Sequence, residues 1–152
     1  MHNKKGQFYL IAALAIVSII IGIATVSNSS KVVKGSKIVY EIEDKLEIES
    51  EYVLDYGIVN KLNTIQLMEN FTRTFTDSSK NLEFYFIFGK EENLKVYKYF
   101  NGTRITQSYS IESGNVKTTV NGTEYSFNLT QGENFHYIIA NDEGGERYVT
   151  TS

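Results

Sequence analysis

The pattern of apolar and polar positions divides the chain into two unlike parts. Residues 8–26, FYLIAALAIVSIIIGIATV, form an apolar run that contains no charged residue and no proline. At about 1.5 Å per residue, a helix over this run is roughly 28 Å long, which matches the ~30 Å hydrocarbon core of a bilayer. The pattern therefore predicts a transmembrane helix over 7–27, preceded by residues 1–6 and followed by a polar, lysine-containing stalk over 28–40.

The next stretch, residues 41–55, has the pattern of a short amphipathic helix. Ile42 and Leu46 fall on one helical stripe, and Ile48 and Tyr52 form an adjacent stripe. Seven acidic residues against a single lysine in this stretch predict that the rest of the helix surface is an acidic face in contact with solvent.

A break at Tyr56-Gly57 precedes a second predicted helix, over 63–77. Asn63 is a suitable N-cap, and Gln66 stands three residues later, as in a capping box. An apolar stripe with the i, i+4, i+8 spacing must be covered, and we expect it to pack against a sheet. This stripe consists of Leu67, Phe71 and Phe75.

From Leu82 onward the apolar residues alternate with polar ones, which is the period of β-strands. Asn101-Gly102 and Asn121-Gly122 have the composition of two-residue hairpin turns. Short connections make neighbouring strands antiparallel, so we predict a meander whose central strand, apolar on both faces, is 82–88. The predicted strands are 82–88, 94–100, 103–110, 116–120, 123–129, 135–140 and 147–151.

These elements predict an α+β fold class. The chain would consist of an N-terminal transmembrane helix, short amphipathic helices over 41–77, and an antiparallel β-meander over 82–152. The helices and the meander form one predicted head, 41–152, and the chain is expected to cross the membrane once with this head outside the cytoplasm.

Composition narrows the chemistry that this head can perform. The chain contains no cysteine, which excludes disulfides, thiolate metal sites and cysteine nucleophiles. Residues 1–40 carry five lysines and no acid, whereas the remainder carries ten basic and eighteen acidic residues, so the net charges are +5 and −8. An acidic head offers no basic surface for nucleic acid.

No motif in the sequence predicts an enzyme. The two histidines are His2, outside the predicted head, and His136, which we expect on the surface of a sheet. A single histidine in the head does not make a metal site, and phosphate loops, nucleophile elbows and nucleotide-binding fingerprints are missing from the sequence. We therefore expect no catalytic residue, no cofactor and no bound metal.

Three interpretations of the N-terminal segment are open. A cleaved secretory signal would explain Lys4 and Lys5, but the 19 apolar residues exceed the usual 7–15. An uncleaved signal anchor is the second interpretation. The third is a prepilin-type, class III signal sequence, because Lys4-Lys5-Gly6-Gln7 directly before the apolar run resembles the leader of archaeal type IV pilins and archaellins.

The resemblance covers residues 4–27 and implies a specific processing event. In that family a prepilin peptidase cleaves after the glycine on the cytoplasmic face, which here implies cleavage between Gly6 and Gln7. The apolar helix stays on the mature protein and packs into a filament core. Bacterial-type pilins carry a glutamate five residues into the mature chain, where this chain has Ile11; archaellins lack that glutamate too.

Two function hypotheses follow for the anchored chain. The first is a pilin-like filament subunit or minor pilin that forms homo-oligomers through its 7–26 helix, with Ser18 and Gly22 as a small-xxx-small packing pair. The alternative is a monomeric, signal-anchored ectodomain that acts as a surface binding module. Membrane lipid is an expected partner in both, and prepilin peptidase only in the first.

The sequence also contains recurrent N-x-[ST] glycosylation motifs. It holds five of them, against about two expected by chance from the asparagine, serine and threonine content. If the head is extracytoplasmic, we predict N-glycosylation of at least one. The motifs begin at Asn28, Asn70, Asn101, Asn121 and Asn128.

Overall fold

The structure is a computed structural model that describes residues 37–79 and 81–152. Residues 38–152 form one compact unit, called the head below. The predicted leader 1–6, the predicted transmembrane helix 7–27 and most of the predicted stalk lie outside the described residues. None of the helices in the described part of the chain is long and apolar enough to cross a membrane.

Two helices lie at the start of the head. The first, α1, is helical over 37–59, and the second, α2, spans Thr64–Asp77. The break predicted at Tyr56-Gly57 was wrong, since the first helix continues through Gly57. A Cβ atom at Gly57 would lie 3.0 Å from Leu67 Cδ2, so glycine here permits close contact between the two helices.

Eight strands follow α2, and all connected neighbours are antiparallel. The first sheet has five strands in the order β3-β2-β1-β7-β8, and the second has three in the order β4-β5-β6. A single 3₁₀ turn, Glu91–Asn93, lies between the first two strands. The strands are β1 Glu83–Gly89, β2 Lys95–Phe100, β3 Thr103–Thr106, β4 Tyr109–Glu112, β5 Asn115–Val120, β6 Thr123–Asn128, β7 Asn134–Glu143 and β8 Glu146–Thr151.

The predicted fold class was wrong. Instead of short helices and one meander, the described chain has two helices and two antiparallel sheets. The predicted strand 103–110 is in fact β3 and β4, because the chain crosses from one sheet to the other at Gln107 and Ser108. The Gln107 N–H donates to the Val96 carbonyl in the first sheet, and the Ser108 carbonyl accepts from Thr118 in the second.

The prediction that strand 82–88 is central was confirmed, because β1 lies in the middle of the first sheet. Phe84, Phe86 and Phe88 point to the side covered by the helices, and Tyr85 and Ile87 point to the side covered by the second sheet. The head therefore has three layers, in the order helices, first sheet, second sheet. A strand between two covered faces must be apolar on both.

The second helix begins as predicted but faces the sheet with a different stripe. The Asn63 side chain accepts from the Gln66 N–H at 3.1 Å, which confirms the N-cap. The buried residues of α2 are Met68, Thr72, Phe75 and Thr76, whereas Leu67 and Phe71, which belong to the predicted stripe, are only half-buried. Threonines can face the core here because each hydroxyl donates to the carbonyl four residues earlier, at 2.8 and 2.9 Å.

Candidate functional site

The outward face of α1 carries four exposed apolar or aromatic side chains that nothing in the described chain covers, beside exposed acidic residues such as Glu51 and Asp55. Ile48, Tyr52, Tyr56 and Val59 follow the i, i+4, i+8, i+11 spacing of one helical stripe and are all exposed, Tyr52 to 73% and Val59 to 77%. We call these four residues the outer stripe. All four residues are more than half exposed, and exposed apolar side chains that lie together on one face are candidates for an interaction site.

The opposite face of α1 packs on the first sheet and places carboxylates near a buried tyrosine. Tyr137 on β7 is almost fully buried. Burial, together with the carboxylates of Glu43, Glu47 and Asp44 on α1, raises the pKa of Tyr137 to about 12. The phenol is therefore neutral at physiological pH and does not act as a base.

A charged cluster ties three strands together at one end of the head. Glu83 on β1 accepts from Lys98 Nζ at 2.8 Å and from Arg147 Nη2 at 2.7 Å. Arg147 also contacts Asp142 at 3.0 Å. Burial alone would raise the pKa of Glu83, but the hydrogen bonds from Lys98 and Arg147 outweigh it and hold the pKa below its ordinary value.

The two predicted hairpin tips lie at the same end as this cluster. Asn101-Gly102 and Asn121-Gly122 have positive φ at both positions, which confirms the predicted two-residue turns. The Asn121 amide faces both Nη atoms of Arg147, which can only donate, so the amide is oriented with its oxygen towards them and accepts from both. The Asn101 turn follows Phe100, the residue paired with Glu83 across the sheet.

Four of the five predicted glycosylation asparagines lie in the described chain, and all four are exposed. Asn101 and Asn121 are at hairpin tips, Asn70 is inside α2, and Asn128 is the last residue of β6. The structure does not bring the four together, since only the two hairpin-tip asparagines share one end of the head.

His136 was expected on a sheet surface, but it lies half-buried between the two sheets. Its ring stacks on Phe127 with centroids 5.0 Å apart. Nε2 lies 3.2 Å from the Asn128 carbonyl, which can only accept, so Nε2 carries the proton. Burial lowers the pKa of His136, and the hydrogen bond to Asn128 offsets this in part. The histidine thus joins two layers of the fold.

The described residues line three open cavities beside the helices. One, of about 590 Å³, is lined by Ile38, Asn81, Asn141 and Asp142, among others. A second, of about 360 Å³, lies between α1 and Tyr137, and a third, of about 380 Å³, lies between the end of α2 and the Asn101-Gly102 turn. In residues 37–79 and 81–152, no group of three or more histidine, aspartate or glutamate side chains is placed to hold a metal ion.

Several predicted site residues cannot be placed. The predicted leader-processing residues Lys4, Lys5, Gly6 and Gln7, the helix-packing pair Ser18 and Gly22, and Asn28 all lie outside the described residues. They remain predictions.

Sequence reasoning missed the charged cluster and one buried polar residue. Glu83, Lys98 and Arg147 come together only through strand register, which has no signal in the sequence. Asn134 is buried, accepts from the N–H and hydroxyl of Thr130, and donates to the Gly89 carbonyl. Asn134 lies between the predicted strands 123–129 and 135–140, which indicated a loop and not a core residue.

Comparisons with protein-family models, with curated proteins and with solved structures gave no match to this chain.

Proposed function

We propose that this chain is a membrane-anchored cell-surface protein that serves as a pilin-like filament subunit or minor pilin. The apolar segment from Phe8 to Val26 would be the anchor, with the head outside the cytoplasm. Lys4-Lys5-Gly6-Gln7 before that segment supports processing by a prepilin peptidase.

The observation that carries this proposal is that the head covers its central sheet from within residues 38–152. The helices cover one face of the first sheet, and the second sheet covers the other. A separate run of 19 apolar residues needs a non-aqueous environment of its own. A bilayer before assembly, and neighbouring copies after it, would both supply that environment.

The outer stripe supports contact between heads. A standard interface buries about 800 Å² per partner, and the four exposed side chains of the stripe would form part of such a surface. Its tyrosines belong to a residue type that is enriched at interfaces. In a filament of parallel subunits, a second copy is the partner present at the highest local concentration.

The alternative is a monomeric, signal-anchored ectodomain that binds a surface partner through the same stripe. Tyr52 and Tyr56 favour it equally, since their exposure indicates an interface without naming the occupant. The two functions differ in whether the leader is removed and in whether filaments form.

The experiment that separates them is N-terminal sequencing of the mature protein from native membranes. A start at Gln7 supports the pilin-like function, and a start at Met1 or His2 supports the binding module. A start near Asn28 would overturn both, because the apolar segment would then be lost as a secretory signal.

A matched pair of variants sharpens this result. Gly6→Val adds a branched side chain where the peptidase must approach the backbone closely, so we expect residues 1–6 to remain and filaments to disappear from sheared fractions. His2→Val, also in the leader, should be processed normally. Filaments containing an uncleaved Gly6→Val chain would contradict the proposed processing.

A further inference from the structure

We propose that the two hairpin-tip asparagines, Asn101 and Asn121, carry N-linked glycans, and that Asn70 and Asn128 do not. This inference rests on the proposed extracytoplasmic position of the head. The four motifs have the same sequence pattern, N-x-T. They differ in the exposure and the hydrogen bonds of the asparagine and of the threonine two residues later.

The side-chain amides at the two tips are oriented for attachment. The Asn101 oxygen accepts from the Asn81 N–H at 3.3 Å, and the Asn121 oxygen accepts from Arg147. Because each oxygen is held by a donor, the Nδ2 atom, which bears the sugar, points away from that donor. Both asparagines are exposed.

The hydroxyl that completes the motif is also accessible at the tips. Thr103 and Thr123 are exposed first residues of their strands. A transferase that reads N-x-T must reach the amide and this hydroxyl together. Both groups lie at a hairpin turn and are exposed.

At the other two motifs the hydroxyl is already engaged. Thr72, which follows Asn70, is fully buried, donates to the Met68 carbonyl at 2.8 Å and lies 3.2 Å from the Tyr99 hydroxyl. Presenting this motif would require α2 to leave the sheet.

The Asn128 motif is held in the same way. The hydroxyl and N–H of Thr130 both donate to the Asn134 side chain, at 3.1 and 2.7 Å. The Asn128 carbonyl is bonded to His136 of the other sheet. Thr130 and the Asn128 side chain are both exposed, so this motif differs from those at the tips in that its hydroxyl and its asparagine carbonyl are already hydrogen-bonded.

The reaction requires a sugar donor of defined chemical class, a lipid-phosphate-linked glycan. A bond forms between asparagine Nδ2 and the anomeric carbon, while the bond from that carbon to the phosphate oxygen breaks. The amide loses one proton, and the lipid phosphate leaves as the second product. No oxidation or reduction is involved.

Both proposed glycans lie at one end of the head. Asn121 contacts Arg147, Arg147 contacts Glu83, and Glu83 pairs with Phe100, the residue before Asn101. The cavity that includes Ile38, the first residue of the head, is lined by Asn81 and Asp142 of the same end. The two proposed glycans would therefore lie at the end of the head where α1 begins.

Peptide mapping of the full chain from native membranes tests the proposal. Cleavage after glutamate yields 93–112 with Asn101, 113–124 with Asn121 and 125–133 with Asn128, so each motif falls on its own peptide. We expect glycan mass on the first two peptides and the bare mass on the third and on the peptide that begins at Asn70. Glycan on Asn70 or Asn128, or bare Asn101 and Asn121, would overturn the proposal.

Variants provide a second measurement that does not disturb the turns. Thr103→Ala and Thr123→Ala remove the motif but keep asparagine at positive φ, where it is tolerated. Each should lose one glycan, whereas Asn70→Gln and Asn128→Gln should change nothing. Unchanged glycan mass in both threonine variants would contradict the assignment.

Protease treatment of intact cells distinguishes this failure from failure of the proposed function. A head that is digested from outside but carries bare peptides contradicts the glycan assignment alone. A head that is protected from the protease and carries bare peptides contradicts both the glycan assignment and the extracytoplasmic location.

Discussion

Each face of α1 carries a stripe of apolar side chains, but one stripe is buried and the other is exposed. Leu46 on the inner face is fully buried against the first sheet, while Ile48, two residues later, is exposed on the outer stripe. The inner face is explained by the fold that it covers. The outer stripe has no such explanation within the described residues, so we attribute it to association.

The largest expected effect comes from shortening the inner face. Leu46→Ala removes three buried carbons and leaves a cavity under α1, so we expect a loss of about 2–5 kcal/mol in the free energy of unfolding. Urea denaturation of residues 38–152, followed by circular dichroism, measures it.

Ile48→Ala is the matched control on the same helix. Its side chain is exposed and alanine is the better helix former, so the free energy of unfolding should change by less than about 0.5 kcal/mol. Equal losses in the two variants would mean that the two faces of α1 are covered alike, and the comparison between them would fail.

A second prediction concerns how the stability of the head depends on pH through Tyr137, the tyrosine beneath the inner face of α1. The pKa of Tyr137 is about 12 in the folded head and about 10 in an unfolded chain. Between these values the folded state binds more protons, so the stabilisation is complete below pH ~10 and is lost as the pH rises through about 12.

Tyr137→Phe should remove this pH dependence. Across the alkaline window, wild type should lose about 2–3 kcal/mol relative to the variant, as measured by urea denaturation at several pH values. Tyr97→Phe is the control variant. Tyr97 also has a raised pKa, but it lies beside Glu69 of α2 instead of beside α1. Parallel stability curves for wild type and Tyr137→Phe would mean that the folded head does not raise the pKa of Tyr137.

Local patterns predicted most elements of the head, whereas the arrangement of its strands needed long-range information. Asn63 marked the start of α2, and the two Asn-Gly turns fixed two hairpins, because each signal is read from a few neighbouring residues. The split of strand 103–110 was missed, since a polar Gln107-Ser108 pair fits the interior of an exposed edge strand as well as a crossing between sheets.

Candidate site residues were predictable to different degrees for the same reason. The hairpin-tip asparagines could be found from the N-x-[ST] pattern and placed from the turn. Their difference from Asn70 and Asn128 could not, because it depends on the partners of Thr72 and Thr130 in the folded head. The outer stripe was visible as an apolar pattern, but periodicity does not reveal which of two adjacent stripes a sheet will cover.

The smallest expected effect on stability, and the largest on assembly, belongs to the outer stripe. Tyr52→Gln with Tyr56→Gln keeps good helix formers at exposed positions, so the free energy of unfolding should change by less than about 0.5 kcal/mol. Tyrosines are enriched among interface hot spots, whose truncation costs 2 kcal/mol or more, so if the stripe holds such a hot spot, recovery of the full chain in sheared filaments should fall by about tenfold or more.

Tyr40 supplies the matched control, because it is an exposed tyrosine of the same helix outside the stripe. Tyr40→Gln changes the same chemical group at the same level of exposure, so a general effect of removing surface tyrosines would lower filament recovery in both variants. A loss confined to the Tyr52 and Tyr56 variant assigns the contact between heads to the outer stripe. Normal filament recovery from that variant would leave the heads uninvolved in assembly, and the apolar segment 8–26 would then have to provide the contacts between subunits.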